Sequence, residues 1–513
     1  MARAWRQAAA SRTTQGIASV SPTGRVKWRR TVSAILLLTP LISGCVVGPD
    51  YQKPLLALPS AWSGSKKAAP ARPPELALWW QRLNDPLLNG LVEEAVAGNL
   101  DVASSKAKIR EARASYRQNV GTLFPSASGS GSATRNKSAS SSSGSSESYS
   151  QFQAGFDASW EIDLFGANRR AVEAARYGMD AAEEELRATL LTLVGDVASN
   201  YVELRGYQAR LALARRTAAS QNETAALTRT KLEAGAVSAV DVANASGQAA
   251  STEATIPELE AAYATTIHRL SVLTGRPPAA LTERLDKYAS IPRPKLPIPT
   301  GVPADVLLAR PDVRLAERQY AQATANIGQA EAARYPSVSL TGSIATSGLK
   351  IGDLGKSSSV SWSFGPTLTV PIFNAGQLAA AVDMARAQRD QYFIAYRASV
   401  LTALEDVENA IVALAQERIR NGKLASSAER YREAATLTRS LYKAGSASFL
   451  DLLTVERSLY SAEDSFIQSK VSIAADYIAL NKALGGGWDG TIDISKPEVV
   501  DSRTGPHLAA SAD

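Results

Sequence analysis

The sequence predicts a mainly α-helical protein with a membrane-type β portion, built as two internal structural repeats. Three observations predict it. Residues 126–256 and 372–496 contain no proline, so each can hold helices longer than a globular core requires. Short stretches of strict apolar–polar alternation, the period of a strand, precede the long helical run in each half. Passages in the second half also answer passages in the first at an offset of 210 or 211 residues.

The first 44 residues read as a signal peptide. Seven basic residues and no acidic ones lie in residues 1–45, which accounts for the whole formal charge of +7. The remainder has 49 bases and 49 acids, interspersed, so the basic balance gives no support to a nucleic-acid partner. The cluster "KWRR" precedes eleven apolar-to-small residues, Val32 to Ile42, too few to span a bilayer as a helix. "LISGC" then ends at Cys45, the only cysteine of the chain. This stretch resembles a bacterial lipobox, which implies a covalent lipid on Cys45. Val46 stands where an aspartate would favour inner-membrane retention, so the outer membrane is expected. Residues 45–84 then form a lipidated, extended N-terminal segment.

Repeat one, residues 85–275, opens with a helical pattern over 85–121, stopped at Pro125. A β-hairpin is expected over about 124–163. From Phe152 to Ile162 the even positions are Phe, Ala, Phe, Ala, Trp and Ile, while the odd ones are polar or glycine. A second hairpin is expected over about 336–372, where Val338, Leu340 and Ile344 and then Val360, Trp362, Phe364, Leu368 and Val370 alternate with serine and threonine. Long helices follow both hairpins. Apolar residues at 186, 190, 193, 197, 201, 204 and 211, and at 396, 400, 404, 407, 411 and 414, keep 3–4 spacing. From Gly166 to Ala234 is 69 residues, on the order of 100 Å of helix, which suits a coiled-coil column. "KLEAGAVSAVDVA" (231–243) and "LYKAGSASFLDLL" (441–453) break these helices at Gly235 and Gly445, so they are the far turns of two helical hairpins. A proline-rich linker, residues 276–303, joins repeat one to repeat two (304–488), and residues 489–513 form a flexible tail.

Four amphipathic strands cannot close a membrane barrel, which needs about eight or more. If the strands span a bilayer, several chains must share one barrel; the other reading of the alternation is a soluble sandwich. Catalysis finds no foothold. The two histidines, His268 and His507, stand apart, and a lipidated Cys45 leaves no Cys–His pair or Cys/His metal site. No enzyme and no dissociable cofactor are expected.

The pieces "CVVGPDYQKP" (45–54), "LLARPDVRLAE" (307–317), "YPSVSLTGS" (335–343), "PIFNAGQ" (371–377) and "NKALGGGW" (481–488), in this order and spacing, resemble the outer-membrane efflux factors of the TolC and OprM type, in the NodT-like lipoprotein branch. The resemblance covers residues 45 to about 488 and implies a homotrimer. A shared transmembrane β-barrel, four strands from each chain, would continue into a long coiled-coil α-helical barrel in the periplasm. It implies an exit duct lipid-anchored in the bacterial outer membrane. At its periplasmic tip the duct would dock a periplasmic adaptor protein, itself coupled to an inner-membrane transporter of the RND type.

The same resemblance places an aperture ring at Asp451 and Leu450 and a gating hydrogen bond between Asp241 and Tyr442. Gly235 and Gly445 become the turns that meet the adaptor. Asp451 also reads as a helix-start residue favoured by the macrodipole, and both roles can coexist. Ala447 and Thr454 depart from the arginine and aspartate common in relatives, which removes a second link and a second acidic ring. Two other readings are an exit duct for type I protein secretion and, from a different class, a periplasmic coiled-coil scaffold lipoprotein.

Overall fold

In the computed structural model the described residues are 46–55, 59, 62, 76–138, 147–294, 310–488, 500–501 and 505–506. The expected signal peptide, Cys45, the distal part of the proline-rich linker and most of the tail lie outside them. Each repeat has the same three-part order of short helix, β-hairpin and long helical hairpin. In repeat one these are α1 (Pro86–Gly98), α2 (Leu100–Gly121), β1 (Ser126–Ser138), β2 (Glu147–Ile162), α3 (Ala167–Glu233) and α4 (Ala239–Leu273), followed by a short α5 (Thr282–Asp286). In repeat two they are α6 (Pro311–Ala332), β3 (Ser337–Gly348), β4 (Val360–Thr369), α7 (Gln377–Lys443) and α8 (Phe449–Ala483).

The correspondence is close in length. Helices α3 and α7 have 67 residues each, and α4 and α8 have 35 each. Asn99 divides the helical stretch 85–121 into α1 and α2. Its backbone is extended and its side chain accepts from the N–H groups of Asp101 and Val102, an N-cap for the second helix. Helix α4 runs through Pro257, at the loss of one N–H donor from its ladder.

Two segments expected to be extended carry helical turns. Trp79–Leu83 is a 3₁₀ turn at the end of the N-terminal segment, and α5 interrupts the linker. Both turns exist because they deliver apolar side chains inward. Trp79, Trp80 and Leu83 in the first, and Leu281 and Leu285 beside and within the second, are buried in the main core. That core gathers around the middle of α3, Leu186 to Leu204, and the C-terminal end of α8. A second, small core of Ala245, Tyr442, Phe449 and Leu452 closes the far tips.

The four strands form one antiparallel sheet in the order β1-β2-β3-β4. Register brings Phe156 opposite Ile344 and Ile344 opposite Trp362, so the apolar residues of three strands share one face. On that face β1 contributes Ala127, Gly129, Gly131 and Ala133. Its poor apolarity is offset where Phe156 lies against Gly129, so close that a Cβ there would sit 3.3 Å from the ring. Among the described residues no helix is long and apolar enough to cross a membrane.

Candidate functional site

The sheet exposes its apolar face. Phe156, Ile344, Trp362, Phe364 and Leu368 are all exposed, Trp362 by 76%. Residues of the opposite parity make a polar face, mainly of serine, threonine and glutamine, that also carries Asp157 and Glu161. There Ser343 and Ser363 hydrogen-bond at 2.8 Å and Ser126 and Ser159 at 3.1 Å. A sheet with water-loving chemistry on one side and exposed aromatics on the other fits a bilayer on the aromatic side. Aromatics also gather where strands meet helices. The Trp160 indole donates to Leu123 O at 3.0 Å, and Phe165 stacks on Tyr335 at 4.7 Å. Exposed Phe124 and Phe373 stand at the same chain junctions. This is the chemistry of a membrane–water belt.

The residues just after Cys45 are seated at this junction. Val47 N–H donates to Phe165 O at 3.1 Å. Arg170, 3% exposed, donates to Val47 O, Gly48 O, Asp50 and Glu173. The Tyr51 hydroxyl donates to Glu317. Gly48 has φ of +87° and its Cα side faces Gly328, where a Cβ would lie 2.4 Å from the Gly328 Cα, so no other residue fits. Residues 46–51, "VVGPDY", thus have a physical role that the sequence alone leaves unassigned. They fasten this segment to the point where β2 becomes α3, which holds residue 46 at the belt.

At the far end both hairpin turns are built alike. Gly235 (φ +74°) and Gly445 (φ +81°) take the left-handed conformation. Ala236 N–H donates to Lys231 O and Ser446 N–H to Leu441 O, each at 2.8 Å, closing the helix ends. Ser238 and Ser448 then start α4 and α8 with capping boxes, in which Asp241 and Asp451 return hydrogen bonds to the serines. The Ser448 hydroxyl, followed by its backbone N–H, holds the Asp451 carboxyl below the usual carboxylate range. Asp451 is exposed, as is its neighbour Leu450 at 66%. Val240, the counterpart of Leu450 in repeat one, is 65% exposed and had no role assigned from sequence.

The expected Asp241–Tyr442 hydrogen bond is absent from the chain. The Asp241 carboxylate is taken by Ser238, in both backbone and hydroxyl contacts. Tyr442 is buried, with its hydroxyl 2.9 Å from Thr228 Oγ1. Lys231 donates to Tyr442 O and lies 4.1 Å over its ring, and Phe449 packs edge-on at 6.0 Å. Tyr442 therefore does pin α7 to α3, but through Thr228 and Lys231. Neither partner was legible, because a threonine and a lysine on a heptad helix carry no distinguishing signal. Ala447 packs against the same small core, where an arginine would have to be desolvated.

Ion pairs extend the connection between the two hairpins. Arg210 of α3 meets Asp464 of α8 at 2.6 Å, and Arg216 meets Glu463 at 2.8 Å. Glu463 also accepts from Arg432 of α7, and Glu456 from Arg439. Among the described residues no cluster of three or more His, Cys, Asp or Glu side chains is arranged to hold a metal ion.

The sequence pattern of the outer membrane efflux protein family matches residues 91–276 and 302–486, one match in each repeat. The chain is 36% identical over 450 residues to Nodulation protein T of Rhizobium leguminosarum bv. trifolii, covering 88% of this chain and 96% of that one. It is 31% identical over 455 residues to the cation efflux system protein CusC of Escherichia coli K12, covering 87% and 97%. The solved outer-membrane channel OprN superposes with a TM-score of 0.79 at 33% identity, over 86% of this chain and all of that one. The Campylobacter jejuni CmeC outer membrane channel superposes with a TM-score of 0.80 at 25% identity, over 88% and 97%. The two solved structures are both outer-membrane channels. The chain belongs to the outer membrane efflux protein family: it is an efflux channel of the bacterial outer membrane that reaches into the periplasm, the exit duct of a tripartite pump.

Proposed function

We propose that the duct is a lipid-anchored homotrimer, gated at its periplasmic helix tips, that passes small molecules delivered by an adaptor and an RND-type transporter. The observation that carries this reading is the sheet. Its outer strands β1 and β4 each leave a row of backbone N–H and C=O groups unpaired within the chain. In hydrocarbon each such group costs several kcal/mol, so the edges must meet other copies. Three copies supply about twelve strands, within the range of closed barrels.

A second surface supports the same assembly. Ile394, Leu401, Val412, Ile419, Leu437 and Leu441 of α7 are each at least half exposed. At 100° per residue their spacings of 7, 11, 7, 18 and 4 fall within about 40° on one side of the helix. The face that packs in the chain, with Tyr396, Val400, Ala403, Val407 and Leu414, lies opposite. A helix with two opposed apolar faces needs two partners, and the second is another copy.

Gating at the tips rests on the exposed Leu450 and Asp451 beside the turn glycines. Three ionised Asp451 carboxylates around an axis would draw cations and repel anions, and Leu450 would narrow the passage. Gly235 and Gly445 leave open space at both turns, as adaptor docking requires. Cys45 carries the lipid, next to a segment fastened at the membrane belt, and no dissociable cofactor takes part. Cargo is a small molecule, in keeping with relatives named for cation, solvent and toluene efflux. Single-channel recording in planar bilayers tests the reading. A small, cation-favouring conductance is expected, with weaker selectivity or larger current for Asp451→Ala. Folded, inserted protein that passes no current would reject the duct, and channels indifferent to the substitution would reject the gate.

A further inference from the structure

Two adjoining cavities of about 280 and 350 Å³ lie in the seam between α3 and the α7–α8 pair, the second also walled by residues 288–293. Arg216, Arg432 and Glu463 line both, so the cavities share a wall. In the first, Gln221 is 3% exposed, and neither its amide nitrogen nor its amide oxygen has a hydrogen-bond partner. A buried carboxamide without partners is costly and calls for a polar occupant. Around it stand Arg216, Arg432 and Arg439 against only two carboxylates, Glu456 and Glu463. Both glutamates are nearly buried and already accept from these arginines, Glu463 from two of them.

A guanidinium carries five N–H donors, and each arginine here commits one or two. The arginine side chains remain 38 to 70% exposed, so the spare donors border the cavity from its open side. The field in the seam is positive. In the second cavity burial, followed by the charges of Arg293 and Arg432, holds the Lys470 ammonium below the usual lysine range.

We propose that this seam binds a small oxyanion of the phosphate class, with the Gln221 amide as its buried donor and Arg216, Arg432 and Arg439 as its cationic wall. Planar guanidinium forks match phosphate oxygens two at a time, whereas a cation would meet three positive groups. Arg216 lies 50 residues into α3, roughly 75 Å from its membrane end, so the anion comes from the periplasmic solution and not from a lipid headgroup. A bound anion would bridge α3 of the first hairpin to α7 of the second. It would add to the Arg216–Glu463 contact and hold the two hairpins together. The site does not depend on where the aperture lies.

Isothermal titration of inorganic phosphate into the purified full chain, at constant ionic strength with chloride as the control, tests the inference. Saturable binding of one phosphate per chain is expected, with a raised melting temperature. Gln221→Leu and Arg216→Gln should each weaken binding about tenfold or more, and Glu463 keeps Arg432 in the second variant. Absence of saturable heat overturns the proposal. So does Gln221→Leu that melts higher than the parent and binds phosphate equally well, because Gln221 is then an idle amide in a packed seam.

Discussion

Helices α3 and α7 have the same length and the same neighbours in sequence, yet they are buried very differently. Among the described residues 25 of α3 are buried and only 10 of α7. Helix α3 packs against α2, α4, α6 and α8, whereas α7 packs mainly against α6 and α8. Positions separated by 210 residues make the contrast plain. Leu191 and Val202 of α3 are buried, while Leu401 and Val412 of α7 are 63% and 52% exposed. In repeat one that face is covered by repeat two of the same chain. In repeat two the equivalent face is exposed, and on the proposed assembly its cover comes from the next chain. By the same internal pseudosymmetry α7 should meet α2 and α4 of a neighbour, the counterparts of α6 and α8. On the proposed homotrimer the duplication would be one link of a closing ring.

The largest effect should come from placing a carboxylate on each side of this contrast. Val202→Asp buries an unpaired charge and should cost several kcal/mol, with loss of the folded chain by circular dichroism. Val412→Asp should leave helix content intact but shift the mass in native mass spectrometry from the oligomer to a single chain. An unaltered oligomer mass for Val412→Asp would break the comparison.

The two hairpins, unlike the two long helices, should behave alike. Phe156→Arg and Trp362→Arg both put a cation on the exposed apolar face. Each should cost on the order of 2–4 kcal/mol if the residue is near the bilayer midplane. Ser363→Arg, on the polar face, should cost little. Folding titrations in lipid vesicles measure all three, and equal penalties on both faces would remove the membrane from the interpretation.

At the tips the caps are equivalent, while the proposed aperture uses only the second of the two carboxylates. Asp241→Ala and Asp451→Ala each delete one capping box and should weaken the local helix start by about 1 kcal/mol, read as faster amide exchange in the first turn. Only Asp451→Ala should alter ion selectivity. The carboxyl of Asp451 is held low by Ser448, so its contribution is complete above the unfolded value near pH 4. That contribution fades only as pH falls through the lower folded value. Selectivity and tip protection should therefore be flat from about pH 8 to 5 and decline in stronger acid. Selectivity that declines already between pH 7 and 5 would assign the aperture to other groups.

An effect of similar small size is expected at the turns. Gly235→Ala and Gly445→Ala each force an L side chain into positive φ, and open space around both leaves roughly 1–2 kcal/mol of backbone strain as the whole cost. Matching small losses in melting temperature are expected, and a much larger loss at one turn would show that the two tips are not built alike.

Much of this protein is legible in its sequence because periodicity is a local property. Strict alternation at 152–162 and 360–368 marks strands, the absence of proline permits 67-residue helices, and "AG" followed by Ser and Asp marks both tips. The strand β1 is written in serine, glycine and alanine, and only its pairing with β2 makes it part of an apolar face. The buried turns at Trp79–Leu83 and α5 escaped notice because proline and glycine around them signal an extended path.

What the sequence determined by itself was the element order, the duplication and the chemistry of each face, since these follow from spacing along one chain. What only the tertiary structure decided was which residues pair. Tyr442 sits on Thr228 and not on Asp241, because a capping box three residues away had already claimed the aspartate. Arg170 is the hub of the N-terminal seat, and α7 keeps one apolar face uncovered. Each of these is a contest between partners distant in sequence, and it is settled by distance and burial in the folded chain, which no local pattern records.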